Sequence, residues 1–494
     1  MKNFAKFLVV ALAVSLIAGM FAFSASAVAT EPGANPNDLK PGSDRVIFIQ
    51  DPERDPETHE IIGELPGDGS GTTPENPLAT IEHDGFNASA EIPKYHLTTS
   101  FYQATEMLKE TGGTIVITGP IYFGEFECYG AGKNVRDVFT ADFKNNVIKF
   151  TSVYNGVDYR ETNGAKITIE TPAMLSILGS SIWENIDFET TGTDRCVTFD
   201  EYCTLIGEGV KCYPSDLEIF EGIAPNYVSL AAGHRYAKST SENPTLLVKS
   251  GTYNKICGGM WGTVASSGME GTTTTNLTIE GTTEVLGVVS GSVGATSPFS
   301  GNVNVTINGG VFMCDINGVG PTGLTNTDGT VTIKINGGDF KQVWSINDQD
   351  ITNTGNAPAF SSVDFSGWTG EKLELAYAVA MVTEFKEVKL PEGMSVEELK
   401  KLAEEHPPVI PEEPGEVTLP PVSEDTTKAP EVEDATKAPV TTAKPETTSP
   451  ETTAPANDGG NGGDMTLWII LGVVAVVAVA AVVVVVLMKK KAAK

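Results

Sequence analysis

The run NVNVTINGGVF, Asn302 to Phe312, alternates polar and apolar residues and stops on Asn-Gly-Gly, and TVTIKINGGDF, Thr330 to Phe340, repeats the pattern. Strict alternation predicts strands with one buried face. Set beneath one another, Leu246 and Val248, Leu277 and Ile279, Val305 and Ile307, and Ile333 and Ile335 form an apolar column with steps of 31, 28 and 28 residues. One strand and one glycine-rich turn per repeat predict a solenoid, in which each turn buries its apolar side only by stacking on its neighbours. Thr278, Thr306 and Lys334, with Asn276, Asn304 and Thr332 two residues earlier, fall on the solvent side. Asn308 and Asn336 sit beside the turn glycines, where they would either stack as an amide ladder or serve turn chemistry alone. Upstream, GTIVIT (113–118), KITIE (166–170), NIDFE (185–189) and TLIGEGV (204–210) carry the same texture at uneven spacing and read as shorter rungs.

A solenoid must cover its first and last turns. Thr98 to Glu110 predicts an N-terminal capping helix with Phe101, Ala104, Met107 and Leu108 on its apolar side. Ser395 to Glu404 opens on a capping box, Ser-Val-Glu-Glu, and turns Leu399 and Leu402 to one side.

The chain ends read differently. Lys2 and Lys6, an apolar run from Phe7 to Phe23, and Ala25-Ser26-Ala27 predict a secretory signal peptide over residues 1–27. Thr466 to Met488 is uncharged and long enough to cross a bilayer as a helix, and the lysines at 489–491 and 494 place the tail that follows in the cytoplasm. Residues 411–464, rich in Pro and Thr, cannot bury enough apolar surface to fold and read as a disordered stalk able to span on the order of 150 Å. The expected organisation is therefore signal peptide (1–27), N-terminal segment (28–97), solenoid (98–365), C-terminal cap with a short helix (366–410), stalk (411–464), transmembrane helix (466–488) and basic tail (489–494), a single-pass protein of the cell membrane with its bulk outside.

The net charge of −31, from 33 basic and 64 acidic residues, argues against nucleic acid as a partner, since phosphate binding needs basic clusters. Six cysteines (Cys128, Cys196, Cys203, Cys212, Cys257, Cys314) match no CxxC metal spacing. Export permits disulfides, and Cys196, Cys203 and Cys212 lie close enough in sequence for a local bridge, but buried free thiols fit the spacing equally well.

The order Asp68-Gly-Ser-Gly-Thr-Thr-Pro-Glu-Asn-Pro77, a capping helix, GGTIVITG (112–119) and then the INGG turns resembles right-handed parallel β-helix proteins of the pectin-lyase-like superfamily. More narrowly, it resembles membrane-anchored surface proteins of Gram-positive gut bacteria. The resemblance implies an all-β coil whose relatives include polysaccharide lyases, glycoside hydrolases, adhesins and stalk modules, so fold alone does not give activity. Hydrolases of this fold carry Asn-Thr-Asp followed by a paired Asp, Gly-His-Gly and Arg-Ile-Lys. Here Asn326-Thr327-Asp328 has no such followers, and Gly233-His234 precedes it.

Calcium-dependent lyase chemistry needs oxygen ligands and a base. Glu170, Asp187, Glu189 and Glu208 are the candidate carboxylates, with Arg160, Arg195 or Arg235 as base; calcium is the one cofactor this chemistry would bring. No pair among His59, His83, His96, His234 and His406 has metal-ligand spacing. Sugar binding asks only for exposed aromatic faces, for which Trp261 and Trp344 are the candidates. The sequence thus favours a displayed, non-catalytic module recognising extracellular carbohydrate or another surface ligand, over a tethered lyase or hydrolase or an inert spacer.

Overall fold

The computed structural model describes residues 34–52, 67, 69–79, 82–83, 97–98, 100–123, 139–169, 175–190, 196–199, 202–214, 227–233, 243–259, 261–262, 274–294, 301–320, 329–349 and 358–408. The chain divides into a unit over 1–415 and a second over 416–494. The signal peptide, the stalk and the apolar segment 466–488 lie outside the described residues, and no helix among those described is long and apolar enough to cross a membrane.

The described part is mostly β, with few helices and a long parallel sheet. Strand pairing resolves it into a solenoid-like coil whose strands recur on three faces. Asn302–Ile307 on the first face is followed by Val311–Phe312 on the second and Asp315–Val319 on the third, and the chain then returns to the first face as Thr330–Ile335. Each strand pairs in parallel with its counterpart one turn on: Asn302–Ile307 with Thr330–Ile335, and Asp315–Val319 with Ile346–Gln349.

The sequence columns hold in this register. Leu277 pairs with Leu246 and Val305, and Ile307 with Ile279 and Ile335. All eight side chains of the apolar column are buried. Full burial of each is worth about 1.5–3 kcal/mol relative to exposure.

The turn chemistry follows from the corner between the first two faces. The second glycine of each Asn-Gly-Gly, Gly310 or Gly338, has φ of 108° or 135°, where L side chains are strained. A Cβ there would also press on the Phe312 or Phe340 ring and, at Gly310, on the Thr283 carbonyl. Asn336 Nδ2 donates to Asn308 Oδ1 at 2.7 Å and Asn308 Nδ2 to Glu280 Oε2 at 3.3 Å, so the two asparagines do form a ladder between turns.

The upstream runs read as similar rungs belong to two faces. Gly113–Ile117 and Cys203–Ile206 lie on the first, whereas Lys166–Ile169 and Asp187–Thr190 lie on the second, in a separate four-stranded sheet. Their uneven spacing follows from comparing different sides of the coil. Cys196, Cys203 and Cys212 stand on three different strands, and with Cys257 and Cys314 they are buried free thiols.

Both ends are covered. The strand Val46–Ile49 pairs with Gly113–Ile117, and its outer edge is met by residues 71–78, through Phe48 N to Gly71 O and Leu78 N to Phe48 O. The helix Ser100–Leu108 seals the interior with Phe101, Ala104 and Leu108. Met107 is exposed, contrary to expectation, because the stripe at i, i+3 and i+7 from Phe101 leaves position i+6 beside it. Asp51 anchors the helix start, accepting from Ser100 Oγ at 2.5 Å and from Tyr122 N at 2.8 Å.

At the far end the helix Val396–Glu405 is capped by the Ser395 hydroxyl, which accepts from Glu398 N, while the Glu398 carboxylate bonds Lys372. It packs on a second helix, Lys372–Ala380, whose Leu375 to Val379 are all buried.

Candidate functional site

Two of the candidate carboxylates, Asp187 and Glu189, lie on the outer surface of the second face. Strand alternation turns Phe188 inward and Asp187 and Glu189 outward. Upstream, between Thr151 on the first face and Lys166 on the second, the chain makes an excursion through the hairpin Val153–Tyr154/Val157–Asp158 and the short helix Tyr159–Asn163. Asn155 and Gly156 both adopt positive φ, as a two-residue Asn-Gly hairpin turn requires.

This excursion brings Arg160 over the sheet. Its Nε and Nη2 meet the Asp158 carboxylate at 2.9 and 2.6 Å, and its Nη1 reaches Asp187 Oδ1 at 3.3 Å and Gly209 O at 2.6 Å. One guanidinium thus fastens a corner loop to two later turns. Glu189 is held separately, by Lys166 Nζ at 2.7 Å and Thr168 Oγ1 at 3.1 Å, and stands opposite Tyr213 on the next strand.

The electrostatics divide the two aspartates. The hydrogen bonds from Arg160 hold the Asp158 pKa below its ordinary value, whereas burial raises that of Asp187 against the pull of Arg160 and Lys211. Burial, and then the neighbouring Asp187, raise the Tyr213 phenol. Arg160 is driven further toward its charged form by Asp158, which is the wrong state for a base.

The remaining candidates lie apart. Glu208 is exposed on the turn before Gly209. Glu170, Arg195, Arg235, His234 and the run Asn326 to Asp328 fall outside the described residues, as do His59 and His96. Among the described residues no group of three or more His, Cys, Asp or Glu is placed to hold a metal ion.

Trp344 is 76% exposed, the most open large apolar side chain described. It stands two residues before Ile346, which pairs with Ile316; one turn earlier the equivalent place belongs to Cys314, which is buried. Trp261 lies on the short strand Trp261–Gly262, paired with Val293–Gly294 on the third face, and its side chain is outside the description. Sequence reasoning passed over Asp158, Lys166, Lys211 and Tyr213. The dipeptide Asn155-Gly156 was the available signal, since it predicts a hairpin carrying Asp158 and Arg160 away from the coil.

No protein-family profile, curated protein or solved structure matches the chain.

Proposed function

We propose that this chain is a right-handed parallel β-helix of the pectin-lyase-like type, displayed outside the cell from a single membrane helix, and that it serves as a non-catalytic recognition or adhesion module for carbohydrate or another surface ligand. The observation that carries the reading is what the coil offers to solvent. Of the candidate lyase residues, the carboxylates Asp187 and Glu189 are engaged by Arg160 and Lys166, and the candidate base Arg160 is itself paired with Asp158. Among the described residues the most exposed large apolar side chain is an indole, Trp344, suited to stack on the C–H face of a sugar. The apolar run 466–488, the lysine-rich tail and the Pro/Thr-rich segment 411–464 support display.

The full chain, incubated with a panel of polysaccharides with and without calcium, is expected to retain at least one polymer while creating no new chain ends. Chain-end production on any polymer would replace this reading with a tethered lyase or hydrolase. Retention of none would leave a spacer.

A further inference from the structure

We infer that the downstream half of the first face is the carbohydrate-binding surface, and that its ligand is a neutral, extended glycan lying along the axis of the coil. This rests on the recognition reading above and gives it a surface and a ligand class.

Parallel pairing lines up equivalent side chains from turn to turn at about 4.8 Å. Thr278 pairs with Thr306 in one outward row, and Asn276 with Asn304 and then Thr332 in the next. The amides are fixed: Asn304 Nδ2 donates to Asn276 Oδ1 at 3.1 Å, and Asn302 Oδ1 accepts from both the N–H and the hydroxyl of Thr330. The Thr278, Thr306 and Thr332 hydroxyls have no protein partner among the described residues, so water or a ligand must satisfy them. Hydroxyls held on a rigid sheet lose little rotamer freedom on binding.

Charge selects the ligand class. On a chain of net charge −31, these rows carry no ionised group until Lys334 and Asp364 one and two turns beyond Thr306. An acidic glycan would meet overall repulsion, with Lys334 and, beyond Asp364, Lys389 as the cations in this row, whereas a neutral glycan needs donors and acceptors alone. An extended β-linked glycan repeats its hydroxyls at a spacing of the same order as the strands. The row through Thr330 ends on Phe360, 42% exposed, which supplies the apolar platform that sugar rings favour.

The test is calorimetric titration of the full chain, in a zwitterionic detergent, with cello-, manno- and galacturonic-acid oligosaccharides. A neutral oligosaccharide should bind, with Kd raised roughly tenfold by Phe360→Ala and roughly tenfold by the double change Thr278→Val, Thr306→Val. Phe360→Tyr, which keeps the ring, should hold Kd near wild type and so separate stacking from loss of fold. Val157→Ala, an exposed apolar side chain on the corner hairpin, should change it less than about twofold. Neutral binding that survives the Phe360 and threonine changes but is lost with Trp344→Ala overturns this surface while the recognition reading stands. Tighter binding of the acidic oligosaccharide overturns the ligand class. Binding of none overturns this inference and leaves the recognition reading to ligands other than these glycans.

Discussion

The first face of the coil carries two chemistries on one continuous row. Ile182, Leu205 and Leu247 pair in succession, and the row then runs on without a break in register through Thr278, Thr306 and Lys334. Upstream, Ile182, Leu205 and Leu247 are buried with Val147 in a small outer cluster against Leu39, from the N-terminal segment. Downstream the row is polar, with Thr278 and Thr306 partly exposed and Lys334 exposed. The interior changes with it. Around Phe101 the upstream turns stack aromatic rings, Phe150 on Phe101 with centroids 5.2 Å apart and Trp183 on Phe150 at 4.1 Å, whereas downstream the same side is Leu, Val and Ile in register. The evenly spaced downstream turns keep their rings on the second face, where Phe312 stacks on Phe340 with centroids 5.2 Å apart.

The sharpest way to break the upstream half is at Trp183, fully buried between Phe150, Phe188 and Phe199. Trp183→Ala should cost about 3–5 kcal/mol in urea unfolding, against about 1–3 for Val305→Ala in the downstream stack. Equal costs would mean that the aromatic hub is no more critical than a single rung.

Next in size is Arg160→Met, at roughly 2–3 kcal/mol near neutral pH, since the guanidinium fastens three turns but keeps some solvent contact. Its pH dependence is specific. Asp158, with its pKa lowered, contributes stability above its unfolded value of about 4, and that contribution is lost as pH falls through the lower folded value. Asp187, with its pKa raised, costs stability once ionised, and that cost disappears on protonation. Removing Arg160 abolishes the first contribution and enlarges the second cost. The Asp187 share of the variant's deficit should therefore shrink as pH falls toward about 4, and the Asp158 share only below about 4; a deficit independent of pH would show that packing alone is lost.

Leu39→Ala tests the cover itself. About 1–2 kcal/mol should be lost, with a second readout: the Cys203 thiol donates to Ala34 O at 3.6 Å, and burial pushes its pKa to about 12. Native-state labelling of Cys203 should accelerate in the variant, while Cys314, inside the downstream coil with its pKa likewise near 12, stays unreactive. Equal labelling of both would point to global rather than local opening.

These contrasts mark where the sequence was readable. The downstream register was legible to the residue because period-2 alternation and period-28 recurrence reinforce each other at Val305, Ile307, Ile333 and Ile335. The caps at Ser100–Leu108 and Val396–Glu405 announced themselves through helical spacing and a Ser N-cap. Lys372–Ala380 did not: Leu375 to Val379 are buried without interruption, so the helix has no polar stripe to reveal its period. Nor did the outer cluster, since Leu205 and Leu247 lie on the outward side and their partner Leu39 is far away in the chain. The Arg160 cluster depends on a loop crossing two turns, and no local pattern reports which later turn a loop will touch.

The smallest expected effect concerns the ladder that joins like turns. Asn308 is exposed, yet it both donates to Glu280 and accepts from Asn336. Asn308→Ala should cost only about 0.5–1 kcal/mol, because water can replace either partner at an open corner. Asn336 is placed differently: its Oδ1 is buried and unpartnered, and its backbone carbonyl accepts from both the N–H and the hydroxyl of Thr369. Asn336→Ala removes the unsatisfied acceptor together with the 2.7 Å bond, so the two changes should come out within a few tenths of a kcal/mol of each other. A clearly larger loss at Asn336 would mean that the ladder positions the turn leading to Trp368, and that the corner is built by side chains rather than by its glycines.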